Sequence, residues 1–183
     1  MSNIDPQTVA SFGDEWVRFD QSGMSADELR KVFDGYFAVF PWDRLPSDAE
    51  GFDMGCGSGR WARLVAPRVG RLHCIDPSAA ITVARSTLAG HDNVVFHQAS
   101  VDAPGLPLGS QDFGYSLGVL HHVPDTAAAI RSCVALLKPG APLLCCICTT
   151  PSTTVRAGFG PCGGCRTGRE GSFTVCPSAL SMW

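Results

Sequence analysis

The stretch Phe52-Asp53-Met54-Gly55-Cys56-Gly57-Ser58-Gly59-Arg60-Trp61 decides the fold. An acidic residue leads into three glycines at alternate positions, and a helix-forming segment follows. Glycines so spaced let the chain turn tightly from strand to helix, with no Cβ to obstruct a ligand. The spacing also excludes two other nucleotide-binding loops. In a G-x-G-x-x-G fingerprint starting at Gly55 and Gly57, the third glycine would fall at Arg60, so the register fails. A phosphate loop of the form G-x-x-x-x-G-K-[ST] occurs nowhere.

Working outward from this turn, apolar strands alternate with helical segments. Strands are predicted at 51–54, 71–75, 94–97, 113–117 and 143 to about 147, and helices at 60–66, 79–88 and 126–137. In the last helix Ile130, Val134 and Leu137 are placed on one face. This alternation predicts an α/β fold whose parallel sheet is covered on both faces, doubly wound by right-handed crossovers. Upstream, residues 1–49 read as a helical cap. Ser25 and Glu28 form a capping box that opens a helix through about Phe37, and Pro41 stops it. Eight aromatic residues lie between Phe12 and Trp42. They either pack the segment onto the domain or, in part, form a lid over a ligand pocket, with residues 12–42 as that lid.

Ligand chemistry follows from the acidic residues. Asp53 sits at the carboxyl end of the first strand, an unhelpful charge beside phosphates but a useful one beside an ammonium group. Asp76 closes the second strand, at an interval that suits a carboxylate reaching two ribose hydroxyls. The competing reading makes Asp76 a helix N-cap. A ligand with an adenosine end and an amino-acid end satisfies both positions.

With these residues in view, the chain resembles the class I S-adenosylmethionine-dependent methyltransferases, specifically those with a methyltransferase type 11 domain. FDMGCGSGRW is similar to the family's first motif and CIDPSAAITVAR to its second-strand acid and following helix. FHQASVDAPGLPL, QDFGYSLGVLHHVPD and ALLKPGAPLL resemble the third-strand, fourth-strand and fifth-strand motifs. The resemblance implies a Rossmann-like methyltransferase sheet and S-adenosyl-L-methionine as cofactor. It implies that Asp53, Gly55, Cys56, Gly57 and Gly59 form the loop, and that Asp76 with Pro77 lies at the ribose. Ser100, Val101 and Asp102 are implied at the adenine, with Ser100 replacing the family's usual acid. Leu117, Gly118 and Val119 are implied along the methionine side. His121 and His122 follow the fourth strand; one of them deprotonates a nucleophile, or His122 packs over the cofactor or caps a turn.

The remaining composition bounds the function. The 183 residues carry 14 basic and 17 acidic side chains, a net charge of −3, which gives no footprint for nucleic acid. No apolar run approaches the roughly 20 residues of a membrane span. No signal peptide is recognisable, so a cytoplasmic protein acting on a small-molecule methyl acceptor is expected. Six of nine cysteines crowd the last 39 residues, where Gly, Pro, Ser, Thr and Cys supply 25 positions. Cys162 and Cys165 form a CxxC pair, but no His follows His122 to complete a zinc site, and no metal is expected.

Three regions result: the cap 1–49, a cofactor-binding core 50–147 and an atypical tail 148–183, expected to be disordered. The family-like pattern stops at about residue 144, as a shifted reading frame would make it stop. The sheet is therefore expected to be incomplete on the strand 5–7 side, with five strands and an open edge. The leading function is methyl transfer. The alternatives are a vestigial cofactor-binding protein and an NAD-linked oxidoreductase.

Overall fold

Two glycine and phenylalanine pairs lock the centre of the sheet. Strand β1 (Glu50–Met54) runs parallel to β4 (Phe113–Leu117), with Gly51 opposite Phe113 and Phe52 opposite Gly114. A Cβ added at Gly51 would stand 2.3 Å from the Phe113 ring, and one at Gly114 would stand 2.2 Å from that of Phe52. Each strand thus leaves a gap that the other's aromatic ring fills, one on each face. Both phenylalanines are fully buried.

The computed structural model describes residues 3–18, 25–146 and 173–175. Around β1 and β4 lie β2 (Arg71–Ile75), β3 (Val94–His97), β5 (Leu143–Cys146) and β6 (Phe173–Val175), in the order β3-β2-β1-β4-β5-β6. All pairings are parallel. The order reverses between β1 and β4, and that switch point is where an open α/β sheet offers a crevice at the strand carboxyl ends. The predicted Rossmann-like methyltransferase sheet is therefore present.

The α-helices among the described residues are α1 (Pro6–Arg18), α2 (Ala26–Tyr36), α3 (Ala62–Val65), α4 (Ala80–Thr87) and α5 (Thr126–Leu136). The α2 capping box is formed: Ser25 Oγ accepts from the Glu28 amide at 3.2 Å, and the Ser25 amide donates to Glu28 Oε2 at 3.0 Å. Phe33, Phe37 and Phe40 are buried with Trp61, Leu72, Phe113 and Tyr115 in the layer on one face of the sheet. The other face packs Phe52, Met54, Ile75 and Leu120 against α5.

Several sequence expectations change. Helix α3 is a single turn, because Pro67 passes the chain into a 3-10 turn at Ala66–Arg68. Helix α5 buries Ala129, Cys133 and Leu136, while Val134 is exposed. Ile130 and Leu137 are partly buried against the same layer, so the predicted face departs only at Val134. Asp125 caps the helix, its Oδ1 accepting from the Ala128 amide at 2.8 Å. The expected count of five strands is also corrected: Phe173–Val175 pairs with Leu143–Cys145 as a sixth strand, so β5 is not the edge. Three residues suffice for that pairing, too few for a periodic pattern to reveal. The remaining tail, with the Cys162 and Cys165 pair, lies outside the described residues.

Candidate functional site

The glycine loop is held by its own backbone. The Gly55 and Cys56 amides both donate to the Ile75 carbonyl, at 2.7 and 3.1 Å, so the loop starts against the end of β2. Gly55, Gly57 and Gly59 have φ of 79°, 52° and 77°, a left-handed conformation that side chains strongly disfavour. Their neighbours differ. A Cβ at Gly55 would meet Val119 at 2.5 Å, whereas one at Gly59 would meet Leu88 and Ala84 of α4. Gly59 therefore serves helix packing, and Gly55 serves the approach of the loop to the segment after β4.

Asp76 ties this loop to the next turn. Its Oδ2 accepts from the Gly57 amide at 2.9 Å, and its Oδ1 accepts from the Ser78 amide at 2.9 Å and the Ser78 hydroxyl at 2.6 Å. The carboxylate is fixed in direction, and one lone pair, on Oδ2, remains for a hydroxyl donor. The N-cap of α4 is Ala79, so Asp76 closes the turn ahead of the helix and is not its cap.

Between the loop and the segment after β4 lies a cavity of about 630 Å³ with a mostly apolar wall. Gly55, Cys56, Gly57, Asp76, Pro77, Ser100, Val101, Leu117, Gly118 and Val119 all line it, as do His121 and His122. At Gly118, φ is 74° and a Cβ would meet nothing within 4 Å, which leaves the backbone open to the space. Asp53, Gly59 and Asp102 do not line the cavity. Asp102 is exposed: its Oδ1 accepts from Ser100 Oγ and its Oδ2 from the Asn3 amide. The Ser100 hydroxyl holds the Asp102 carboxyl below its ordinary range.

Asp53 is 2% exposed and faces the buried layer beneath the loop, where Oδ2 has no hydrogen-bond partner. Burial drives its pKa up to about 8; the neighbouring Tyr115 hydroxyl opposes this and the Asp76 charge adds to it. The Cys56 thiol is held well above its ordinary value by its hydrogen bond with Cys74 and then by burial.

The roof of the cavity is a segment whose role sequence reading misplaced. Asn3, Ile4, Thr8, Val9 and Phe12 line it, with Tyr36, Arg60 and Trp61 on the flank. Asn3 reaches across the mouth: its side chain donates to the Asp125 carbonyl and accepts from the Asp125 amide, both at 2.8 Å, while its own amide donates to Asp102 at 3.2 Å. Phe12 packs against the His122 ring with centroids 4.8 Å apart. The lid is thus Asn3–Phe12. Within residues 12–42 Phe33, Phe37 and Phe40 belong to the core, and Phe12 and Tyr36 reach the cavity. The alternation of Ile4, Thr8, Val9 and Phe12 was the available signal, a stripe at helical spacing.

Burial, and then His122, lowers the His121 pKa, and burial lowers that of His122. Both rings are therefore mainly neutral at pH 7. His121 Nδ1 is buried with no hydrogen-bond partner.

A doubly wound sheet with a glycine-rich turn and an acid-closed second strand at its switch point defines the class of nucleoside-cofactor proteins. Residues 52–145 match the methyltransferase domain family, and the chain belongs to it. The chain is 30% identical over 158 residues to a ubiquinone biosynthesis O-methyltransferase from Methylocella silvestris, covering 76% of this chain and 62% of that protein. It is 36% identical over 146 residues to the protein of the same description from Albidiferax ferrireducens, covering 75% and 56% respectively. The chain thus spans about six tenths of the length of these relatives. In fold it is similar to a candidate S-adenosyl-L-methionine-dependent methyltransferase from Methanococcus maripaludis, with a TM-score of 0.62 at 18% identity over 81% of this chain and 68% of that one. Family membership replaces the NAD-linked oxidoreductase reading. Among the described residues no cluster of three or more His, Cys, Asp or Glu could hold a metal, and no helix is long and apolar enough to cross a membrane.

Proposed function

We propose that this chain binds S-adenosyl-L-methionine and transfers its methyl group to a small, largely apolar acceptor. The observation that carries the proposal is the joint presence, on one cavity wall, of Gly55, Gly57, Asp76 and the open backbone at Gly118. Gly55 and Gly57 place no Cβ over the floor, and the remaining lone pair on Asp76 Oδ2 can accept from a ribose hydroxyl. Pro77, Ser100 and Val101 bound the adenine side, and Leu117 to Val119 bound the methionine side. When bound, the cofactor supplies a methyl group on a positively charged sulfur, open to attack in line by a nucleophile.

The chain's own contribution is then orientation and exclusion of water. Asn3–Phe12 closes the cavity from above, and the apolar wall keeps the transfer dry. His121 and His122, neutral at pH 7, are the groups able to take a proton from an acceptor hydroxyl, and His121 Nδ1 has no competing partner. An acceptor with a hydroxyl on an apolar body suits that pair and that wall. The O-methyltransferase description of the relatives supports the same class.

The test is incubation with methyl-labelled S-adenosyl-L-methionine and a panel of phenols, small amines and carboxylates. Label transfer to phenols, reduced at least tenfold in a His121→Asn, His122→Asn double variant, is the expected result. Cofactor binding with no transfer to any acceptor would favour a binding protein without catalysis.

A further inference from the structure

Beneath the glycine loop sits a carboxyl group that the cavity wall does not explain. Asp53 is the last-but-one residue of β1, pairs in register with Cys74 of β2 and Tyr115 of β4, and is almost wholly buried. Its Oδ2 has no hydrogen-bond partner, and none of the ion pairs among the described residues involves it. The titratable groups facing it are Tyr115 from β4, Cys74 from β2, Cys56 from the loop and Asp76 beyond it. Burial holds the Tyr115 hydroxyl well above its ordinary value, and the Cys56 thiol is likewise raised, so both stay protonated. The surroundings therefore offer neutral groups and one anion, and no cation. A carboxylate in such a place has only the Tyr115 hydroxyl to offset its burial, and the group escapes the cost by keeping its proton.

Resting on the cofactor reading above, we propose that Asp53 is protonated in the ligand-free protein and releases its proton to solvent when a cationic ligand occupies the loop. Asp53 precedes the Gly55–Gly57 turn by two residues and interacts electrostatically with Cys56 and Asp76, which both line the cavity, so a positive charge brought there acts on it through those neighbours. The ligand carries an ammonium and a sulfonium, and either supplies the counter-charge that the buried layer lacks. The O–H bond of Asp53 breaks, its electron pair stays on the carboxylate, and the proton goes to buffer; nothing is oxidised or reduced. Asp53 would thereby act as a charge-matching residue that favours a cationic ligand over a neutral nucleoside of the same shape.

The test is calorimetric titration of the full chain with S-adenosyl-L-methionine at pH 7.0 in phosphate, Hepes and Tris, which differ in ionisation enthalpy. The cavity histidines, being neutral there, have little proton to give. The observed heat should vary with buffer by an amount equal to roughly 0.5–1 proton released per ligand, and the apparent Kd should fall by up to about tenfold per pH unit between pH 6 and 8. Asp53→Asn, which keeps the shape of the protonated acid, should bind with heats independent of buffer and a Kd that is flat with pH. Carbon-13 NMR of the ligand-free protein labelled at aspartate should show one carboxyl, missing in Asp53→Asn, that titrates near 8. Binding without proton release, the same release in Asp53→Asn, or a ligand-free titration near 4 would each overturn the proposal. A chain that binds no S-adenosyl-L-methionine removes the cofactor reading and this inference with it, whereas binding without release removes this inference alone.

Discussion

The floor and the roof of the cavity are built on different principles. The floor, Gly55–Ser58 with Asp76–Ser78, is fixed chiefly through backbone groups: two amides on the Ile75 carbonyl, one on Asp76 and left-handed glycines at 55 and 57. The roof, Asn3–Phe12, is fixed by side chains, chiefly through Asn3, which holds Asp125 at two points and Asp102 at a third. Breaking the floor must therefore change the shape of the binding surface itself. Breaking the roof changes how well the surface is covered. Affinity for the cofactor should depend on the first, and efficiency of transfer on the second.

The largest expected effect is at Gly55. In Gly55→Val the left-handed backbone and the Val119 side chain 2.5 Å from the new Cβ both oppose the substitution. Cofactor affinity should fall by at least about 100-fold, the scale of a lost backbone surface plus several kcal/mol of strain. Near-native affinity by calorimetry would show that the loop does not form the binding floor.

Asp53→Asn leaves affinity aside and probes stability. A carboxyl whose folded pKa is raised to about 8 from 3.8 keeps its proton in the folded state while the unfolded chain has already lost it. Such a group stabilises fully below about pH 4, and that stability is lost as pH rises to 8. The wild type should lose stability relative to Asp53→Asn across that window by an amount on the order of 5 kcal/mol, read from urea melts at pH 4.5, 6 and 8. Parallel pH profiles for the two proteins would mean that Asp53 is ionised in the fold.

Asp76→Ala should weaken cofactor binding by about 1.5–3 kcal/mol, the range for hydrogen bonds to a charged group. Unchanged affinity in a folded variant would remove Asp76 from the ribose. The smallest effect on affinity belongs to the roof: Asn3→Ala should shift Kd by less than about threefold, because it removes the two exposed side-chain hydrogen bonds to Asp125, while turnover falls by more than that. An equal loss in both would make the roof part of the cofactor site.

The same contrast explains what could be read from sequence. The floor was legible because its constraints are local: the glycine spacing, the acid ending β2 and the short apolar runs 71–75, 94–97 and 113–117 all lie within a few residues of what they shape. The roof was not, because Asn3 finds its partners at Asp102 and Asp125, about a hundred positions away. The interlock of Gly51 with Phe113 and Phe52 with Gly114 was hidden for the same reason, since a pairing between strands distant in sequence leaves no periodic trace. Helix α5 was legible in part: Ile130 and Leu137 pack against the sheet as their spacing suggests, while Val134 turns outward and Cys133 and Leu136 take the buried positions. Asp53 is the subtlest case: the motif identifies the residue, but its proton depends on burial, which only the packed layer with Tyr115 supplies.

The central claim is that the Gly55–Asp76 floor is a site for S-adenosyl-L-methionine. Parallel calorimetric titrations of the intact chain with S-adenosyl-L-methionine and with NADH test it most directly. Saturable one-to-one binding of S-adenosyl-L-methionine, weakened in Asp76→Ala and without a counterpart for NADH, is the result expected. Saturable NADH binding with no heat from S-adenosyl-L-methionine would contradict the account.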